Sequence, residues 1–189
     1  MKLLYLCNGE KAVNLRELPK GEAFVTERGK TLVDLCAFCL MSNHFHLVLR
    51  EKQENGASQF MQKLATAYVM YFNEKYERTG ALFEGPFKAR HIDNDRYLKY
   101  MVAYLHLNPI DILDSGWKEK GIKDSRAAKT FLDKYPYSSY LEYTGGKRPE
   151  SAIVNKSGLP KYFSSQREFD DFITDWLTMP KELAPKGLA

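Results

Sequence analysis

The sequence predicts an α+β protein with antiparallel strands, and three stretches carry that expectation. Residues 22–41 group apolar and β-branched positions around Glu27-Arg28-Gly29-Lys30, which reads as a hairpin, and NHFHLVLR continues as another strand after Met41-Ser42. Behind Ser58, Phe60, Leu64, Tyr68, Tyr71 and Phe72 recur at the spacing of one helical face, so a helix is expected over 58–77. In RYLKYMVAYLHLN, Asp93-Asn94-Asp95 offers an N-cap and Pro109 disfavours α geometry in the residue before it. That second helix should end at Asn108.

The connecting stretches are read in chain order. Residues 2–7 read as the stub of a helix or strand, and 8–21 is polar with few periodic signals. Gly80, Gly85 and Pro86 interrupt the chain after the first long helix, and FKARHI alternates as a short strand. Farther on, 124–134 and 138–143 read as short helices, Gly145-Gly146-Lys147-Arg148-Pro149 as a loop, 166–177 as an amphipathic terminal helix and 180–189 as a frayed tail. With 189 residues and 44% hydrophobic content, the chain can bury one full core but is short for two. The expected organisation is a core domain over 1–115 with a helical C-terminal extension of the same domain over 116–189.

Composition narrows the function classes only in part. A formal net charge of +4 fits a nucleic-acid partner, but Lys+Arg 28 against Asp+Glu 24 is too mild an imbalance to name one. No segment approaches the roughly 18 continuous apolar residues of a membrane span, and the apolar start is too short for a signal peptide. A cytoplasmic protein without a membrane partner is expected. Cys36-x-x-Cys39 falls inside the apolar run LVDLCAFCL, where it reads as strand rather than as a redox loop.

Chemistry concentrates in two places. On a strand, His44 and His46 point the same way while Phe45 points oppositely, so the two imidazoles could share one ion. Hydrogen-bonded histidines without a metal are the ordinary alternative. On the second helix, Tyr104 and Asn108 are four apart and lie one turn above each other, although ordinary core packing also explains a tyrosine there. Tyr97 and Tyr100 share that helix and compete for any role given to Tyr104. Lys88, Arg90, Arg96 and Lys99, interleaved with Phe83, Phe87 and Tyr97, could meet a nucleic-acid backbone and its bases, while Glu84, Asp93 and Asp95 allow a solvated, charge-balanced face instead.

Three blocks in order, MSNHFHLVLR, GALFEGPFKARHIDNDRYLKYMVAYLHLNP and YPYSSYLEYTG, resemble the REP-associated tyrosine transposases, a branch of the single-tyrosine HUH (IS200-like) transposases. The resemblance covers roughly residues 32–175. It implies a ferredoxin-like fold, an antiparallel sheet with helices packed on one face. It implies His44 and His46 as metal ligands, Asn108 as the polar residue that completes the site, and Tyr104 as the nucleophile. Lys88 and Arg90 then fall on a basic strand near the DNA path. The implied cofactor is Mg2+ or Mn2+, although imidazole ligands alone would suit zinc, copper, iron or nickel better. The implied partner is single-stranded DNA with a REP-like hairpin, cleaved and joined through a 5′-phosphotyrosine. A catalytically inactive hairpin-binding relative and a metal-dependent hydrolase using water are the competing readings.

The chain departs from the family pattern at its start. No helix fits between residues 24–29 and 32–40, so residues 2–7 read as the end of the first helix and the family's first strand as absent or truncated. That would leave a sheet edge exposed, which a second copy could cover, so both monomer and homodimer are open.

Overall fold

VDLCAFCL is apolar at almost every position rather than at alternate ones, which requires a strand covered on both faces. It forms β1 (Val33–Leu40), buried from Val33 through Cys39. β1 turns back into β2 (Phe45–Glu51) through a turn closed by the Met41 N–H donating to the His44 carbonyl at 2.8 Å. The two make a two-stranded antiparallel sheet in an α+β chain whose C-terminal part is helical, consistent with a truncated ferredoxin-like fold. The computed structural model describes residues 1–178. These form two compact units, one of Met1–Cys36, Leu49–Ile92 and Arg148–Leu159, the other of Ala37–Val48, Asp93–Lys147 and the residues from Pro160 on.

In the first unit, α1 (Lys2–Leu6) packs against α2 (Gly56–Lys75) and against 3-10 turns at Glu22–Phe24 and Pro149–Ile153. Leu4, Leu6, Phe24, Leu35, Phe60, Leu64 and Ile153 form its core. Gly56 opens α2 where a Cβ would stand 2.5 Å from the Leu32 carbonyl oxygen, so no larger residue fits that approach. The buried Asp34 carboxylate receives the Arg50 Nε at 2.9 Å and the Asn155 amide at 2.8 Å, which compensates a charge that burial would otherwise penalise.

The second unit holds α3 (Asp95–Leu107), α4 (Ile110–Leu113), α5 (Trp117–Lys120), α6 (Ser125–Lys134), α7 (Tyr140–Tyr143) and α8 (Gln166–Thr178). α8 lays Phe169, Ile173 and Leu177 against α3 and α6. The Asn94 side chain caps α3 by accepting from the Tyr97 N–H at 3.0 Å, and Asp124 caps α6 by accepting from the Ala127 N–H at 2.8 Å. At the centre lies His106, fully buried among Tyr140, Tyr143 and Phe169. Its Nδ1–H donates to the Val102 carbonyl at 2.7 Å, and its Nε2 accepts from the Ser139 hydroxyl at 2.7 Å. Ser139 in turn accepts the Phe38 N–H on Oγ and gives its own N–H to the Phe38 carbonyl, both at 2.9 Å.

Most helices fall where the periodicity places them, and two expectations are corrected. Residues 24–33 make no hairpin: the Lys30 and Arg28 carbonyls accept the Glu10 and Lys11 N–H groups at 3.0 and 3.2 Å, so the N-terminal segment takes the bonds a second strand would have used. FKARHI is no strand either. Residues 87–91 are exposed and irregular, and alternation without a neighbour to complete the ladder does not hold a strand. The outer edge of β1 is closed without a strand. The Asn8 side chain accepts the Leu32 and Val33 N–H groups and donates to the Val33 carbonyl, the Asn155 N–H reaches the Leu35 carbonyl, and the Leu40 N–H reaches the Tyr137 carbonyl. Among the described residues β2 pairs with no strand but β1. The expected frayed tail over 180–189 lies outside the described residues.

Cys7, Cys36 and Cys39 are buried and form no disulfide, and burial pushes the Cys36 and Cys39 thiols up to about 11 and about 12. They are packing residues, not redox groups.

Two outcomes follow from the His106 network. Burial holds the His106 imidazole down at about 4 against an ordinary value of 6.5, so between those values the unfolded chain binds the proton and the folded chain does not. Stability is therefore full above pH 6.5, falls as pH drops towards 4, and loses on the order of 3 kcal/mol from this group. Urea titrations from pH 7 to 4 should show that slope, and it should flatten in His106→Gln. Ser139→Ala strands both the Phe38 N–H and His106 Nε2, and chemical denaturation should register a loss of roughly 3 kcal/mol.

Candidate functional site

The turn into β2 sets His44 beside His46, with ring centroids 5.0 Å apart and planes at 82°. Asn43 Oδ1 lies 2.8 Å from His44 Nδ1. A carboxamide oxygen can only accept, so this contact puts the proton on Nδ1 and leaves Nε2 as a lone pair. His46 is half-buried, and burial lowers its pKa, aided by His44 and the Lys118 ammonium and opposed by Asp111. Burial thus favours the neutral, electron-pair-donating form of His46, and the Asn43 contact aims His44 Nε2 as the free nitrogen of a neutral His44 ring.

α3 brings the second half of the site. The Tyr104 ring stands 6.3 Å from that of His46, centroid to centroid. One turn on, the fully buried Asn108 closes α3 by giving its N–H to the Tyr104 carbonyl at 3.1 Å. Asn108 Oδ1 accepts from Lys118 Nζ at 3.0 Å, while its buried Nδ2 has no hydrogen-bond partner. Lys118 also donates to Asp111 at 2.6 Å and lies over the Tyr104 ring, 5.2 Å from its centroid. Burial works against the charge on Lys118, but hydrogen bonds to Asp111 and to the Tyr104 hydroxyl keep its pKa above the usual lysine value.

The other tyrosines are placed differently. Tyr97, Tyr100 and Tyr104 stack in a row with centroids 6.3 Å apart at each step, and Tyr100 packs on Trp176 at 4.9 Å. Burial, then the neighbouring phenols, pushes Tyr100 up to about 12.

The side chains present fit a divalent ion. Two adjacent imidazoles, one of them oriented by Asn43, make a bidentate start, and an amide oxygen has a second lone pair beyond the one given to Lys118. Among the described residues no three His, Cys, Asp or Glu side chains gather as a metal site, so completion by Asn108 is what this donor set offers.

The expected basic residues are not brought together in one unit. Lys88 and Arg90 are exposed in the first, while Arg96 is exposed and Lys99 lies over Phe163 and Phe172 in the second. Sequence reading missed Asn43, Asp111 and Lys118. The spacing Asn108-Pro109-x-Asp111 puts a carboxylate near the amide across one turn and was a weak available signal, whereas nothing local marks Lys118, which a loop and a separate short helix deliver.

Residues 22–108 match the family model described as Transposase IS200 like. The IS200-like segment contains His44, His46, Tyr104 and Asn108 and stops before Asp111 and Lys118. It supports a transposase-like, DNA-processing enzyme and with it a DNA partner. No curated protein and no solved structure matches the chain. Among the described residues no helix is long and apolar enough to cross a membrane.

Histidine resonances followed by NMR from pH 8 to 5 should show His46 titrating below the usual 6.5, because burial and two cationic or polar neighbours disfavour its charged form. Lys118→Met should move that titration upward.

Proposed function

We propose that this protein cleaves and rejoins single-stranded DNA beside a REP-like hairpin, as the REP-associated branch does, with Tyr104 as nucleophile. The supporting observation is the half-buried Tyr104 ring beside His46, on the same helix and one turn before Asn108. His44, His46 and the Asn108 amide oxygen would hold a magnesium or manganese ion, whose charge polarises the scissile phosphate.

The chain's own residues carry the remaining steps. The Tyr104 oxygen attacks phosphorus, the P–O3′ bond breaks, and the proton lost by the phenol ends on the departing 3′ oxygen by way of solvent. The products are a 5′-phosphotyrosine and a free 3′-hydroxyl. Reversal by a new 3′-hydroxyl joins strands without a nucleotide cofactor, because the phosphodiester bond energy is kept in the tyrosyl ester. Tyr100, pushed up to about 12 and packed on Trp176, is the poorer nucleophile. Lys88, Arg90, Arg96 and Lys99 supply backbone contacts, and the protein works in the cytoplasm as a monomer or homodimer.

Incubation of the protein with a labelled hairpin oligonucleotide and manganese or magnesium, resolved on a denaturing gel, tests this reading. A protein–DNA adduct is expected, lost in Tyr104→Phe and reduced on the order of 10²-fold or more in His46→Ala. An adduct that survives Tyr104→Phe refutes the nucleophile. Cleavage without any adduct points to water as nucleophile, and hairpin binding without cleavage to an inactive relative.

A further inference from the structure

Lys118 sits in the candidate site for reasons the metal and the nucleophile do not require. Its ammonium is fixed by Asp111 at 2.6 Å and Asn108 at 3.0 Å, contacts the Tyr104 hydroxyl, and lies over the rings of Tyr104 and Trp117. Two buried N–H donors flank it without partners, Asn108 Nδ2 and Trp117 Nε1. Orphan buried donors are rare and costly in folded proteins, and each calls for an explanation. Here the Lys118 ammonium meets the phenol, the Trp117 ring stands 6.5 Å from the Tyr104 ring, and Asn108 lies one turn beyond Tyr104, with a single carboxylate, Asp111, against the ammonium. Such a group of donors, electropositive beyond the one charge it balances, is chemistry suited to an oxyanion.

We propose that Lys118, with the Trp117 indole N–H beside it, is a catalytic residue that grips the non-bridging oxygens of the scissile phosphate where the Tyr104 oxygen attacks. The inference rests on the tyrosine-nucleophile reading and deepens it. The bond made is Tyr104 O–P and the bond broken P–O3′, as above. Lys118 keeps its proton throughout and supplies charge that strengthens as negative charge builds on the phosphoryl oxygens. Asp111 and Asn108 hold the ammonium so that no reorientation is needed when the strand arrives.

The test separates this role from a merely structural one by two readouts. Binding of a fluorescent hairpin oligonucleotide is measured by anisotropy across a salt series in EDTA, and single-turnover adduct formation is measured with manganese. Lys118→Met should make the log–log salt dependence shallower by roughly 0.7, the loss of one single-strand phosphate contact. It should slow adduct formation on the order of 10²-fold, with Lys118→Arg restoring the salt slope and part of the rate. Trp117→Phe should slow the adduct step less. A thermal melt checks that each variant is folded. If Lys118→Met keeps the wild-type salt slope, Lys118 only braces Asn108 and Asp111 and the proposal is overturned. Failure of the parent reading looks different: wild-type protein gives no adduct, or Tyr104→Phe still does, while the salt slope still reports whether Lys118 meets phosphate.

Discussion

A strand buried on both faces cannot leave its backbone groups unpaired, and β1 has a strand on one edge only. Everything in the candidate site depends on how the other edge is satisfied. In the stretch that leads to the histidines, the answer is Ser139, which exchanges bonds with both the N–H and the carbonyl of Phe38. The same hydroxyl donates to His106, and His106 donates to Val102 one turn back on α3. One side chain thus ties the strand that feeds the His44 turn to the helix that carries Tyr104 and Asn108. Losing it would free the two halves from each other before it disturbed either of them.

The polarity of this network explains its neighbours. His106 is enclosed by aromatic rings and kept neutral, so it acts as a rigid two-ended connector and not as an acid or base. Around it on the same helix the side chains turn from core to site: Val102 and Leu105 are buried, while Tyr104 stays half-buried beside His46. An α-helix turns once per 3.6 residues, so fixing His106 in the core fixes the direction of Tyr104, two residues before it. The cluster that results gathers two imidazoles, one phenol and one fixed ammonium within ring-contact distance of one another.

Local sequence carried much of this and stopped at long-range pairing. α2 and α3 were legible because their apolar spacing, the Asn94 cap and Pro109 are all local signals, and the alternation of NHFHLVLR placed His44 and His46 correctly together. The 24–33 hairpin and the 87–92 strand were misread because alternation says that a segment could join a ladder, not that a partner is present. In one case Glu10 and Lys11 took the bonds, and in the other the segment is exposed. Lys118 was invisible for a related reason. Its position comes from α4 and the turn at Asp114–Gly116 folding back on Asn108, and no periodicity encodes that return. Ser139 was hidden likewise, 101 residues from the strand it completes.

A shortened sheet need not mean a loosened site. A central strand is usually held by two neighbouring ladders, and here one has been replaced by side-chain and loop bonds from Asn8, Asn155, Tyr137 and Ser139. Such replacements satisfy the same donors and acceptors at comparable distances, and each net bond is worth about 1 kcal/mol whichever group supplies it. What changes is where the dependence lies. A ladder spreads register over many residues, whereas here it is concentrated in the side chains of Asn8 and Ser139 and in single backbone bonds from Asn155 and Tyr137. The site's rigidity therefore rests less on the number of strands than on those side chains keeping their bonds, and Ser139, which serves the strand edge and the His106 connector together, is where that dependence is greatest.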